Sequence, residues 1–128
     1  MNKIKIYNMD GDIIFNGSRL ELRKACLRGA DLRGADLRGG KLYCTDLREA
    51  DLNGANLNGA NLYCADLKYA DLRKVDLKYA DLRRADLYCA DLEGADLRGS
   101  NLEGANLSGA NLKDVTNSFI NREDNEQN

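Results

Sequence analysis

The chain contains no histidine, no proline and no tryptophan, and its aromatic residues are six Tyr and two Phe. Without His, the usual general base, the commonest metal ligand and the imidazole-dependent nucleophile triads all drop out. No apolar run approaches ~18 residues, which excludes a helical membrane span, and Met1–Asp10 lacks the apolar core of a signal peptide. Without a secretory signal, the four Cys are expected to be free thiols in a reducing cytoplasm. Charge of one sign is also missing: 19 basic residues face 21 acidic ones, a formal net charge of −2. That balance exerts no overall pull toward nucleic acid or an anionic membrane. A length of 128 residues fits one ordinary domain.

What the sequence does contain is a period. Leu recurs every five residues from Leu22 to Leu112, giving 19 consecutive pentads. Two residues before each Leu stands Ala, with Leu20, Gly40, Thr45, Val75 and Ser100 as the variations. The residue just before Leu is Asp or Asn in 16 of the 19 pentads; Glu21, Cys26 and Lys41 are the exceptions. The two following positions vary, and Gly is frequent at the second.

Neither regular element accommodates a period of five. On a helix the Leu stripe would rotate by about 140° per pentad and reach every face. On a continuous strand successive Leu would alternate between faces, because five is odd. The pattern works if the chain turns once per pentad, so that every Leu approaches one axis from a new side. Ala then points inward on the same short strand, and Asp or Asn between them points out. Gly at the second position after Leu, as at Gly54 and Gly99, supplies the positive φ of a tight turn. Such a chain is a solenoid.

These A-(D/N)-L-x-x units, over about residues 20–115, resemble the pentapeptide repeat family. The resemblance implies an all-β fold, a right-handed quadrilateral parallel β-helix with four pentads per coil. Nineteen pentads then make about five coils, a rod roughly 24 Å long at ~4.8 Å per coil. Leu and Ala fill its interior.

Open coil ends need covering. At residues 1–19 an N-terminal hairpin cap is expected: Lys3–Tyr7 alternates, Ile13–Phe15 is apolar, and Asp10-Gly11 between them is a hairpin signal. Ser18-x-x-Glu21 reads either as a capping box opening a short helix or as an early first coil. At residues 116–128, after Val115, the apolar Phe119 and Ile120 are expected to cover the last Leu layer, with a polar, acidic tail frayed beyond them. Members of the family with a C-terminal helix pair end to end; this tail is short and polar, so monomer and end-to-end dimer both stay open.

If residues 20 apart stack, one column holds Tyr43, Tyr63 and Arg83, flanked by Cys44, Cys64 and Arg84. A neighbouring wall puts Tyr69 beside Cys89 and Tyr88 over Lys68. Tyr faces with an adjacent Arg can stack on a partner, although ladder neighbours also favour aromatics for their own stability. Tyr43, Tyr63, Arg83, Tyr69, Tyr79 and Tyr88 are the candidate partner-binding residues. Six consecutive pentads replace the turn Gly by Cys64, Tyr69, Lys74, Tyr79, Arg84 and Cys89, which implies a different turn type there and a basic, aromatic belt around the rod. The belt's composition resembles a nucleic-acid surface, yet Asp66, Asp71, Asp76, Asp81 and Asp86 run through it. Those carboxylates repel phosphate and pair with the Lys and Arg, so no direct nucleic-acid binding is expected.

Cys44 and Cys64 fall on adjacent coils, where parallel side chains make poor disulfide geometry. With no CxxC pair and no His, no metal site is expected. The carboxylates sit on exposed ridges, where their expected work is bonding backbone amides and flanking basic side chains. A packed Leu/Ala interior leaves no substrate cavity, and neither catalytic activity nor a cofactor is expected. The resulting expectation is a rigid protein-interaction or structural module. The family resemblance adds an alternative, a bacterial DNA mimic that binds and protects DNA gyrase. The balanced charge of residues 20–114, 15 basic against 16 acidic, does not match the strong acidity of such mimics.

Overall fold

The structure, a computed structural model, describes residues 3–18 and 21–117. It opens with a hairpin. Strand β1 (Lys3–Asn8) pairs antiparallel with β2 (Ile13–Ser18), in a register running from Lys3↔Ser18 to Tyr7↔Ile13 with an irregularity between Ile6 and Tyr7. The Asn8 side-chain oxygen organises the turn by accepting from the amides of Asp10 and Asp12, both at 3.0 Å. Gly11 takes φ +89°, the conformation for which glycine is suited. The strands extend past the expected Tyr7 and Phe15, to Asn8 and Ser18. The other edge of β1 pairs antiparallel with β3 (Ala30–Asp31), which anchors the hairpin to the repeats. Ile6 is buried, and Ile4, Ile14 and Phe15 pack against the same Leu core.

From Glu21 onward the pentads wind as the period requires. Parallel bridges join residues 20 apart, as in Lys41↔Asn61, Asn61↔Asp81 and Asp81↔Asn101, so four pentads complete one turn of the chain. The junction takes the early-coil form: Leu22 is fully buried, Lys24 has φ +58°, and the Ala25 amide donates to the Leu22 carbonyl at 3.1 Å. Every Leu from Leu22 to Leu97 is buried, as is nearly every residue at the Ala position from Gly40 onward within that span. Thr45 and Ser100 occupy that position by donating their hydroxyls to the carbonyls of Leu22 and Leu97, at 2.8 and 2.7 Å. Leu102, Leu107, Leu112 and Val115 are only partly buried. The proposed covers Phe119 and Ile120 lie outside the described residues.

Buried or half-buried backbone donors must find partners, and the pentad around Leu62 shows where they go. Leu62 N donates to Asp81 O (2.7 Å), Cys64 N to Arg83 O (3.0 Å), Ala65 N to Leu62 O (2.9 Å) and Asp66 N to Thr45 O (2.9 Å). The fifth amide, that of Tyr63, has no backbone acceptor and donates instead to the Asn61 side chain at 3.0 Å. All 16 Asp and Asn residues that precede a Leu accept the amide two residues on in this way. The side-chain oxygen completes the pentad's donor pairing, which is why Asp and Asn, short acceptors of equal reach, share the position.

One expectation is corrected. The pentads without a turn Gly do not use a different turn: Cys64, Tyr69, Lys74, Tyr79, Arg84 and Cys89 all have φ between +55° and +62°, in the left-handed region that the turn glycines also occupy. Closing the coil requires this conformation whatever residue stands there. A non-glycine residue in it costs about 1–2 kcal/mol, which Leu burial and the inter-coil hydrogen bonds outweigh. The side chains at these positions lean toward the next coil. Tyr79 lies over Gly99, where a Cβ would come within 2.5 Å of its ring, whereas nothing lies within 4 Å of the corresponding point on Gly59 in the preceding coil.

Candidate functional site

The wall that carries Tyr43, Tyr63 and Arg83 is built from residues 21–24, 41–44, 61–64, 81–84 and 101–104. Its coils are tied together by Lys24 N to Tyr43 O (3.0 Å), Cys44 N to Tyr63 O (2.9 Å), Cys64 N to Arg83 O (3.0 Å) and Arg84 N to Glu103 O (2.9 Å). The position after each Leu therefore forms the column Arg23, Tyr43, Tyr63, Arg83, Glu103. Tyr43 and Tyr63 are half-buried, lying along the wall. The Arg83 guanidinium carbon stands 5.2 Å from the centre of the Tyr63 ring, a cation–π contact. Beside it a shallow surface cleft of about 320 Å³ is lined by Tyr63, Arg83, Arg84, Glu103 and Gly104. The floor is open because Gly104 has no side chain; the Arg84 stem passes 3.4 Å from where its Cβ would be.

The remaining candidates stand elsewhere. Tyr69 and Tyr88 meet on the next wall, their rings 5.7 Å apart and nearly perpendicular at 88°. This diagonal contact, between residues 19 apart, is not among the same-column neighbours expected from stacking at intervals of 20. The Tyr88 phenol is raised above its usual range, first by hydrogen bonding with Cys89 and then by the proximity of Cys89 and Tyr69. Tyr79, 69% exposed, is on the wall of Leu77 and Leu97, apart from both groups. The four cysteines are free. Among the described residues no group of three or more Cys, Asp or Glu is arranged to hold a metal ion, and no helix is long and apolar enough to cross a membrane.

The charged side chains follow a local rule. Where Asp precedes Leu and Arg follows it, the Arg forks back onto the same Asp through Nε and Nη2. At Asp81 the distances are 2.9 and 2.7 Å, and the same fork recurs at Asp31, Asp36, Asp46, Asp71 and Asp96. Lys68 bridges Asp66 at 2.8 Å and Asp86 at 3.3 Å. The fork holds the carboxyls of Asp31, Asp46, Asp71, Asp81 and Asp96 below the usual carboxylate range. Carboxylates held toward their ionised form by guanidinium groups make poor proton donors. Within the basic belt they pair with Lys68, Arg73, Lys78 and Arg83, while Lys74 and Arg84 have no ion-pair partner among the described residues.

A family model for pentapeptide repeats matches residues 15–39, 41–78 and 76–114, more than half of the chain. The chain belongs to the pentapeptide repeat family. Among solved structures it is similar to Rfr23, a pentapeptide repeat protein of the cyanobacterium Cyanothece 51142, with 38% identity and a TM-score of 0.70 over 71% of this chain and 62% of that one. It is likewise similar to HetL of Nostoc sp. strain PCC 7120, involved in heterocyst differentiation regulation, with 40% identity and a TM-score of 0.70 over 73% of this chain and 45% of that one. A thylakoid-lumen pentapeptide repeat protein of Arabidopsis thaliana matches with 36% identity and a TM-score of 0.50, covering 77% and 72%. The chain thus spans less than two thirds of the length of the first two. Among curated proteins none matches it. The pentapeptide repeat neighbours carry the right-handed β-helix over to this chain, whose parallel bridges at intervals of 20 residues have that form.

Proposed function

We propose that this pentapeptide repeat protein is a rigid, non-catalytic interaction rod of about five coils, closed at its N-terminal end by the hairpin, that binds a protein partner through the wall of Tyr43, Tyr63 and Arg83. The observation that supports this best is the Arg83–Tyr63 stack at 5.2 Å beside an open cleft. Aromatic and Arg side chains held in place by a stiff backbone lose little entropy on contact and commonly dominate interfaces. The packed Leu/Ala interior leaves the outer walls as the place for recognition. Four free thiols fit a reducing compartment, and we assign the protein to the cytoplasm on that ground. Protection of gyrase by DNA mimicry is the weaker reading, since mimicry needs an acidic surface and this wall is not one.

The test is an affinity capture from host lysate with wild type beside a Tyr43→Ala, Tyr63→Ala, Arg83→Ala variant, with circular dichroism and light scattering on both. A partner held by wild type and lost by a folded variant is the expected result. A partner retained by the folded variant, or unfolding of the variant, shows that the column is structural. Recovery of gyrase would restore the alternative.

A further inference from the structure

We infer that the Tyr43–Tyr63 wall recognises an acidic segment of its protein partner, laid in extended form along the rod. This rests on the reading of that wall as the interaction surface and assigns the chemistry of what it meets. The pairing of the Arg or Lys after a Leu with the Asp before it, which recurs on the other walls, is available only once on this one. The position before Leu holds Glu21, Lys41, Asn61, Asp81 and Asn101, so Asp occurs once, and it is taken by Arg83. Glu21 pairs with Arg23 at 3.2 Å. Lys24, Lys41 and Arg84 are exposed, and among the described residues none has an ion-pair partner. Glu103, on the rim of the cleft, is the one acidic group of the wall with no ion pair among the described residues. The balance is three cations against one carboxylate, on a protein whose overall charge is −2.

The asymmetry has a specific origin. Asn61 and Asn101 accept the following amide at 3.0 Å just as Asp does on other walls. The structural task is fulfilled and only the charge is dropped. The geometry then sets the occupant. Lys24 and Arg84 lie three coils apart, about 14 Å, with Tyr43 and Tyr63 on the levels between them. An extended chain covers that distance in about four to five residues, with alternate side chains facing the wall. Carboxylates at those positions pair with Lys24, Lys41 and Arg84, while the backbone and apolar atoms rest on the two Tyr. Discrete, spaced cations on a flat aromatic strip suit such a segment better than a phosphate backbone, which the Asp ridges of the flanking walls repel.

The test uses fluorescence anisotropy of labelled hexaglutamate and hexaglutamine peptides on the full chain at low ionic strength. Hexaglutamate is expected to bind more tightly than hexaglutamine and to weaken as salt is added. Combined Lys24→Gln, Lys41→Gln and Arg84→Gln should reduce its affinity about tenfold, while Lys74→Gln, which removes from another wall a cation with no ion-pair partner among the described residues, should leave it unchanged. Equal binding of the two peptides, or equal loss in the Lys74 variant, overturns the inference, and the wild-type salt series decides if the triple variant does not fold. Equal or tighter binding of a single-stranded oligonucleotide of matching charge overturns it in favour of nucleic acid. Hexaglutamate binding that appears only after residues 118–128 are removed assigns the wall to the chain's own acidic tail, with Glu123, Asp124 and Glu126, and overturns it too. Any of these failures leaves the capture experiment with the Tyr43, Tyr63 and Arg83 variant standing, so the two readings fall separately.

Discussion

Replacing Gly99 by Ala separates two costs that the repeat superimposes at its turns. Gly99 has φ +73°, and a Cβ there would lie 2.5 Å from Cδ1 and 2.7 Å from Cε1 of Tyr79. Gly54 has almost the same conformation, φ +70°, with nothing within 4 Å of its Cβ position. Gly54→Ala therefore reports the backbone alone. The left-handed penalty of about 1–2 kcal/mol, less the 0.4–1 kcal/mol recovered from a stiffer unfolded chain, leaves a cost of roughly 1 kcal/mol. Gly99→Ala carries that cost and must also displace the Tyr79 ring. The ring is largely exposed and can swing outward, so the added term is that of an unfavourable rotamer and lost contact, about 0.5–1.5 kcal/mol. Guanidinium unfolding followed by circular dichroism should place Gly99→Ala roughly 1 kcal/mol below Gly54→Ala. In a Tyr79→Ala background that difference should disappear, because the double variant removes the obstacle. Equal costs at the two glycines, or a difference that survives Tyr79→Ala, would refute the claim that the turn side chains lean onto the following coil.

Leu62→Ala, at a fully buried mid-rod position, should cost about 2–5 kcal/mol in the same assay, and Leu112→Ala, only partly buried, clearly less; equal losses would contradict a core whose burial falls from Leu62 to Leu112. Stability should also fall in acid. Asp31, Asp46, Asp71, Asp81 and Asp96 are held below the usual carboxylate range, chiefly by the forks from the Arg that follow. The unfolded chain therefore takes up protons first, so their contribution is complete above about pH 5 and is lost as pH falls through the folded values. Asp71→Asn, which keeps an amide acceptor and gives up the charged fork, should flatten that loss, and an unfolding midpoint identical at neutral and acid pH would rule the coupling out.

The solenoid was legible because its signal is arithmetic. A Leu spacing of five excludes both regular elements, and Ala and Asp or Asn then take their sides by alternation. The hairpin was legible for the same reason, through the alternation in Lys3–Tyr7 and the Asp10-Gly11 turn. The turn conformation was misread in the middle pentads because glycine content is a preference, and closure is a constraint. Tyr69 or Lys74 cannot choose another φ once the Leu on either side are committed to the axis. Likewise the Tyr69–Tyr88 contact depends on the tilt of side chains between columns, which a repeat of 20 does not specify. The choice between a short helix and an early first coil was open locally, and from Glu21 onward the buried Leu22 and the turn at Lys24 take the coil form.

The candidate wall was legible as a column but not as a charge pattern, and the reason lies in what the Asp or Asn position does. Read as a motif, Asp and Asn are interchangeable, and Asn61 or Asn101 is one more instance of the repeat. The hydrogen bond from the following amide explains the interchangeability, since both side chains offer the same oxygen at the same reach. It also shows what remains free. Once capping is satisfied, the choice between Asp and Asn is a choice of charge, and on three walls Asp predominates while the following Arg or Lys is paired with it. On the Tyr43–Tyr63 wall the position holds Asn twice and Lys once, and Lys24, Lys41 and Arg84 have no ion-pair partner among the described residues, while Arg23 and Arg83 are paired. A position that looks like redundancy along the chain is, around the rod, the means by which one wall acquires a sign of its own.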